Sequence, residues 1–390
     1  MTYSTKQNDF INAVLAGKNV FLSGKAGTGK SFVTKEAIKL LQDKGLNVIA
    51  VAPTGIAANN IEGATIHSTF ALSPFGVLTF EKCSFLKSTK RDVLKKTNVI
   101  FVDEVSMMRP DILDAINWTL IKNGIRSLSD FQIIFIGDMK QLKIVADDNM
   151  ISMLLKEYDG ITFMHAKVFQ ELNTEIIELD EILRQSDNEF IEALNEVREG
   201  RKSPYFRRFS NLKKEGIVLA PHNATVNKYN KEGLDSIDGK LYTFTASIDG
   251  KIKETDFNVD LEIKVKDGCK IMYLANSKNN NLFNGTLGIF RTDGHRFFIE
   301  IDNEKFAIEK KIFTKKEYVL SKQSNRLELM DIGSITQYPF KLAYALSIHK
   351  SQGLTFDSCS IDLTLPCFAE GQLYVALSRV KTPEGLSIIH

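Results

Sequence analysis

Four short apolar runs punctuate the first half of the chain: "NVFLSG" (19–24), "NVIAVAP" (47–53), "NVIFVDE" (98–104) and "QIIFIGD" (132–138). Each is rich in β-branched and aromatic residues and ends on a glycine or polar tip. Stretches of helical period, such as "SFVTKEAIKLLQDK" (31–44), lie between them. Continuous apolar runs suit strands buried on both faces, and their alternation with helices predicts an α/β fold with a parallel sheet. In such sheets the carboxyl ends of the strands form the ligand crevice, so the four tips bring their chemistry to one edge.

The pattern changes near residue 240. "LEIKVKDGCKIMYL", "NGTLGIF", "HRFFIEID" and "EKFAIEKKIF" read as short strands separated by polar turns such as "NSKNNN" and "TDG". Helical period is weak there, and a small barrel or sandwich is expected. The later segment "KLAYALSIHKSQGLTFDSCSIDL" returns to the α/β pattern. The order predicts a first α/β domain over 1–180, a second over 181–235 and 336–390, and a β insertion over 236–335.

Composition changes this picture little. Apolar residues make up 43% of the 390 and charged residues 25%, as in ordinary globular domains. No run approaches the length of a membrane span, and "MTYSTKQNDF" has no basic-then-apolar leader, so a cytoplasmic protein without membrane contact is expected. Cys83, Cys269, Cys359 and Cys367 form no CxxC pair. The net charge of +2 excludes a globally basic coat but allows a local basic groove. "RKSPYFRRFSNLKK" (201–214) carries six basic residues and no acidic one. It fits a solvated connector or a nucleic-acid contact, and both readings stay open.

The first chemical signal is "GKAGTGKS" (24–31), which matches G-x-x-x-x-G-K-[ST] between a predicted strand and a predicted helix. Gly24, Gly27 and Gly29 let the backbone curl its N–H groups toward phosphate oxygens, and the helix N-terminus favours an anion. Lys30 reaches the β- and γ-phosphates, and the Ser31 hydroxyl ligates Mg²⁺. Asp103 and Glu104 end the third strand. A carboxylate there holds Mg²⁺ through water, and its neighbour activates the attacking water; Asp103 is the metal carboxylate and Glu104 the base. Asp138 and Gln141 end the fourth strand, where an amide senses the γ-phosphate. These residues define a nucleoside triphosphatase using Mg²⁺, without saying what hydrolysis drives.

The ordered set "GKAGTGKS", "APTGIAA", "VDEVSM", "GDMKQL", "LRQ", "ALSIHKSQGLTFD" and "YVALSRV" resembles superfamily-one helicases of the five-prime-to-three-prime branch, most of all the Pif1 (petite integration frequency) family. RecD-like and Dda-like helicases are near relatives. The resemblance runs from Gln7 to Arg379. It departs after "GDMKQL", where "KIV" stands in place of a common diproline, and at "SLSDFQ", where a glycine pair is common.

The resemblance implies two RecA-like domains with ATP between them, a small wedge subdomain over about 67–97, and an SH3-like character for the β insertion. It implies that Gln7 reads adenine and that Thr28, Gln352 and Gly353 join the nucleotide contacts. It brings Arg184 and Arg379 from the second domain to the γ-phosphate, where a guanidinium stabilises the charge spread over the equatorial oxygens. Pro53, Thr54, Gly55, His67, Ser68 and Phe70 would hold single-stranded DNA from the first domain. Asn223, His349, Lys350 and Ser351 would do so from the second. Phe75 and Phe80 fit either the wedge or simple core packing. The implied activity is ATP-driven translocation, five-prime to three-prime, with unwinding of tailed duplex, G-quadruplex or RNA–DNA hybrid by a monomer. The implied settings are DNA repair, recombination and telomere maintenance. A translocase that strips proteins without separating strands, and a P-loop NTPase unrelated to nucleic acid, are the alternatives.

Overall fold

In the computed structural model, which describes all residues except 1, 2, 142, 143, 145, 146, 182–186, 211, 213–215, 251, 253–256 and 278–281, the chain divides into two units. The first comprises Met1–Arg184 and Lys316–Ile332, the second Gln185–Lys315 and Gly333–His390.

The first unit runs α1 (Thr5–Leu15), β1 (Val20–Gly24), α2 (Lys30–Asp43), β2 (Val48–Ala52), α3 (Gly55–Asn60), β3 (Ala64–Thr65), α4 (Ile66–Thr69), α5 (Ser88–Lys96), β4 (Val99–Val102), α6 (Pro110–Lys122), β5 (Gln132–Gly137), α7 (Asp148–Leu154) and β6 (Glu175–Leu179). The four apolar runs are β1, β2, β4 and β5. They lie in a six-stranded sheet of order β3-β2-β4-β5-β1-β6, parallel at every pairing. Strand period sorts their side chains. Phe21, Ile49, Ile100 and Phe135 enter one core with Ile112, Leu113 and Ile116 of α6. Val20, Leu22, Ala50, Phe101 and Ile134 enter the other with Phe10 and Val14 of α1 and Val33, Ala37 and Leu41 of α2. Burial on both faces explains why the runs are continuous rather than alternating.

Residues 70–87 have no regular secondary structure and are fastened to α6 by polar groups. The Leu78 N–H donates to Asp111 Oδ2 (2.8 Å), and the Leu86 N–H donates to Asn123 Oδ1 (2.7 Å). Arg109 pairs with Asp111 at 2.8 Å and donates to the Gly76 carbonyl at 2.8 Å. Asp111 is fully buried, so this pair and its hydrogen bonds fix the loop that carries Phe75 and Phe80.

In the second unit, α8 (Asn188–Arg198), β7 (Ile217–Ala220) and α9 (Asn223–Asp235) precede a run of strands: β8 (Tyr242–Thr245), β9 (Ser247–Gly250), β10 (Glu262–Val265), β11 (Lys270–Tyr273), β12 (Leu287–Thr292), β13 (Phe297–Ile301), β14 (Glu304–Ala307), β15 (Lys311–Leu320), β16 (Leu327–Gln337) and β17 (Phe340–Leu342). β18 (Ala345–Ser347), β19 (Cys359–Asp362), α10 (Gln372–Leu377) and β20 (Leu386–Ile389) complete it. A parallel sheet of order β18-β7-β19-β20 joins strands from either side of the β run. An antiparallel sheet of order β14-β13-β12-β11-β17 dominates the run itself.

The sequence reading treated 236–335 as one insertion. The structure gives its 316–332 stretch, the far ends of β15 and β16, to the first unit. Within that unit the Tyr318 hydroxyl accepts from the Ala50 N–H at 2.8 Å, and the Leu327 N–H donates to Asn47 Oδ1 at 3.1 Å. Burial pushes the Tyr318 phenol up to about 12. Long-range hydrogen bonds of this kind leave no local signal in a strand pattern.

Candidate nucleotide and nucleic-acid sites

In the first unit β1 ends at Gly24, and the chain turns through a tight loop into α2. Gly27 and Gly29 both adopt φ +84°, the left-handed region where glycine is unstrained. A Cβ on Gly24 would stand 2.8 Å from Thr28 Oγ1 and 3.0 Å from the Leu179 carbonyl, so the loop's first position admits no side chain. Lys30 Nζ donates to the Gly24 carbonyl at 2.6 Å and to the Lys25 carbonyl at 2.9 Å, which lays the ammonium along the loop. Thr28 is buried and donates to the Lys25 carbonyl at 3.0 Å. Ser31 is exposed in the first turn of α2.

β4 and β5 are neighbours in the same sheet, in the order β4-β5-β1, so their tips lie on the loop's edge. Asp103 is buried just beyond β4. Glu104 follows with φ +52°, a strained conformation for a glutamate. The Glu104 N–H donates to Asp103 Oδ1 at 2.9 Å. Burial, then the Glu104 charge, push the Asp103 carboxyl up to about 7, and the Lys30 ammonium pulls it back. Gly137 closes β5 so tightly that a Cβ there would meet Val105 Cγ2 at 2.9 Å. Asp138 shapes the next turn, its Oδ1 accepting from the Lys140 N–H (3.0 Å) and its carbonyl from the Gln141 N–H (2.9 Å). Lys30, Asp103, Glu104 and Gln141 thus share one sheet edge.

Among the described residues no three His, Cys, Asp or Glu gather as a metal cage. A divalent ion here must draw most of its ligands from phosphate oxygens and water, as Mg²⁺ commonly does. A buried carboxyl facing a lysine beside a phosphate loop fits that arrangement, with Ser31 and Asp103 as the protein's contribution. Gln7 is buried, and its Oε1 accepts from the Ser4 N–H in a capping box at the start of α1 (3.1 Å).

The expected DNA-facing residues of the first unit divide. Pro53 follows β2, Thr54 caps α3 through Oγ1 and the Ala57 N–H (3.2 Å), and Gly55 opens that helix. His67 and Ser68 lie in α4. Burial, reinforced by the Arg109 charge, lowers the His67 pKa. The Ser68 hydroxyl donates to Glu317 Oε1 at 2.9 Å, and Lys90 pairs with the same oxygen at 3.1 Å. Phe70 corrects the expectation: its ring is 0% exposed in the core with Ile66 and Leu72, because the turn after α4 points into the apolar layer, so it stacks no base here. Phe75 is 81% exposed and Phe80 is exposed, which excludes core packing for both. Phe85, which the sequence reading missed, is also exposed, and Lys122 Nζ sits 5.3 Å and 5.5 Å from the Phe80 and Phe85 ring centres.

In the second unit Asn223 is the exposed first residue of α9. His349, Lys350 and Ser351 form a tight turn after β18. Ser351 is a second correction: it is fully buried, and its hydroxyl is turned onto the Ile348 carbonyl at 2.8 Å, so its side chain faces no strand. Gln352 follows, and Gly353 holds φ +81°. Phe368, unmarked in the sequence, is exposed and stacks on His349 (5.7 Å, 20°) beside His222 (5.1 Å). Arg184 lies outside the described residues.

Arg379 ends the turn after α10 and is 1% exposed. Its Nε donates to the Val375 carbonyl (2.8 Å), Nη1 to the Leu354 and Ser351 carbonyls (3.1 and 3.4 Å), and Nη2 to Ser378 Oγ (2.7 Å). One guanidinium therefore ties the "ALSRV" segment to the "HKSQGL" turn. In the basic stretch, Phe206 and Phe209 are buried and Arg208 lies 3.7 Å from the Tyr205 ring centre. Its described aromatics are packed within the unit rather than offered to bases.

The sequence model of PIF1-like helicases matches residues 3–205, more than half of the chain. The chain belongs to the PIF1-like helicase family. The ATP-dependent DNA helicase Pif1 of Campylobacter jejuni is 31% identical over 416 residues, covering 97% of this chain and 90% of that protein. Among solved structures, Pif1 from Bacteroides sp in complex with ADP-AlF4 is 34% identical with a TM-score of 0.87, covering 100% of this chain and 92% of that one. The Bacteroides Pif1 bound to single-stranded DNA matches over the same shares at a TM-score of 0.71. No described helix is long and apolar enough to cross a membrane.

Proposed function

We propose that this member of a family of ATP-dependent DNA helicases translocates five-prime to three-prime on single-stranded DNA and unwinds tailed duplex. The observation that carries the reading is the single sheet edge that joins the phosphate loop and Lys30 to Asp103, Glu104 and Gln141. The ADP-AlF4 and single-stranded DNA complexes of the Bacteroides relative support both halves of it. In this reading residues 1–180 form one RecA-like domain with a wedge at 67–97, residues 181–235 and 336–390 form the second, and 236–335 form an SH3-like insertion whose 316–332 stretch belongs to the first unit.

The roles follow from charge and position. The loop N–H groups and Lys30 hold the β- and γ-phosphates, with Thr28 bracing the loop and Ser31 and Asp103 offering oxygens to Mg²⁺. The ion neutralises phosphate charge. Glu104 takes the proton from the attacking water, and Gln141 orients that water. Arg379, with Arg184, supplies the cation for the transition state, while Gln352 and Gly353 flank the nucleotide. Gln7 reads the purine through its Nε2. Pro53, Thr54, Gly55, His67, Ser68, Asn223, His349 and Lys350 follow the strand, and Phe75 and Phe80 stand at the fork. Duplex, G-quadruplex and RNA–DNA hybrid are the substrates to compare.

ATP turnover with and without an oligo-dT strand tests the assignment. Strong stimulation is expected in the native sequence, and Glu104→Gln should retain ATP without turning it over. Turnover indifferent to DNA would point to a P-loop NTPase of another kind.

A further inference from the structure

A cavity of about 460 Å³ opens within the second unit between α9, β10 and β17. Asn223, Asn227, Ser347, Lys341 and Lys350 line it, together with Asp260 and the Glu262–Lys264 ion pair (2.7 Å). Lys341 is the odd member. It is 7% exposed, and among the described residues its ammonium hydrogen-bonds only to Asn258 Oδ1 at 3.5 Å, the outer limit of a hydrogen bond. No carboxylate stands within ion-pair distance of it among the described residues.

Burying an ammonium without a close counter-charge is costly. Glu262 offers it no relief, because that half-exposed carboxylate already pairs with Lys264. Burial and the charge of Lys350 bring Lys341 down to about 8, with Asp260 opposing. Two lysines that repel each other across one cavity are stabilised together by an anion placed between them. Asn223 and Lys350, both exposed, line the cavity and lie on the proposed strand path.

We infer that this cavity seats one backbone phosphodiester of the single strand, held by Lys341 from beneath and Lys350 from the rim. The inference rests on the proposed DNA-translocating function and adds Lys341, which none of the recognised motifs contains, to the strand-binding residues.

The full chain without nucleotide, titrated with fluorescent oligo-dT over a range of NaCl concentrations, tests it. Each phosphate contact on a single strand contributes about 0.7 to the slope of log affinity against log salt. Lys341→Met should lower that slope by about 0.7–1 and weaken binding roughly 3- to 10-fold, and Lys341→Arg should restore most of both. Asp260→Asn, which removes the opposing charge, should tighten binding and decides the matter if Lys341→Met does not fold. Weakened binding at an unchanged slope, or no tightening in Asp260→Asn, would overturn the inference. So would inorganic phosphate that, at matched ionic strength, cancels the Lys341-dependent share, since that marks a free-anion site. If the unaltered chain itself fails to bind oligo-dT, the functional reading fails instead. If Lys350→Ala weakens binding while Lys341→Met leaves the slope unchanged, only this inference fails.

Discussion

Arg379→Ala separates two roles that meet on one guanidinium. In the structure the group is 1% exposed and donates to three carbonyls and the Ser378 hydroxyl. A hydrogen bond from a charged donor contributes about 1.5–3 kcal/mol net, and a buried carbonyl left unpaired costs about 1–3 kcal/mol. Truncation also removes the burial penalty of the cation, several kcal/mol in the opposite direction. The Val375 carbonyl keeps a bond from Ser378 Oγ (2.9 Å) and the Ser351 carbonyl keeps one from the Leu354 N–H (3.0 Å), so the loss falls mainly on the Leu354 carbonyl. The balance is a destabilisation of about 1–3 kcal/mol, set by the Leu354 carbonyl and felt within the second unit. Urea unfolding should show it as a lower midpoint. ATP turnover should fall by about 10³-fold or more if the same group serves the transition state. Binding of a fluorescent ATP analogue, which depends on the phosphate loop of the first unit, should survive and certifies that the protein is folded there. Arg379→Lys keeps the charge but not the fork of donors, so it should recover little of either loss. An unchanged midpoint would refute the clamp, and unchanged turnover would refute the transition-state role.

The remaining predictions concern Asp103 and the exposed rings of the 70–87 loop. Asp103 sits near 7 when folded against an ordinary value of 3.8, so folding favours its protonated form. That stabilising contribution is complete below pH 3.8 and is lost as pH rises through 7. Asp103→Asn should therefore unfold later than the native sequence at pH 8, with the gap closing toward pH 4; a gap independent of pH would refute the shift. Phe75→Ala, alone or with Phe80→Ala, should lower unwinding while leaving DNA-stimulated ATPase in place. Equal unwinding would remove the exposed rings of the 70–87 loop from the strand-separating step.

Much of the nucleotide site was legible because it is local. The strand tips, the phosphate loop and the Asp103–Glu104 pair each lie within a few residues, and the strand period fixes which way each side chain points. Contacts across the sequence were not legible. The family resemblance of "TIHSTF" marked Phe70 as a strand-contacting ring, yet the turn after α4 buries it. Ser351 was misplaced for the same reason: its hydroxyl closes its own turn. No motif singled out Lys341, and only the fold of α9, β10 and β17 around it turns it into a buried charge. Phe85 and Phe368 had no motif to single them out, since exposure of a ring is decided by the packing of its neighbours. The transfer of 316–332 to the first unit depends on Tyr318 and Leu327 reaching Ala50 and Asn47, a separation that no window of sequence spans.

The central claim is that ATP turnover at the edge of the first sheet drives directional strand separation. Matched duplexes with a five-prime or a three-prime single-stranded tail, incubated with the protein, ATP and Mg²⁺, test it most directly. The account predicts unwinding of the five-prime-tailed duplex alone, lost without ATP and lost in Glu104→Gln. Strong DNA-stimulated ATP hydrolysis with neither duplex unwound, or unwinding only from the three-prime tail, would contradict it.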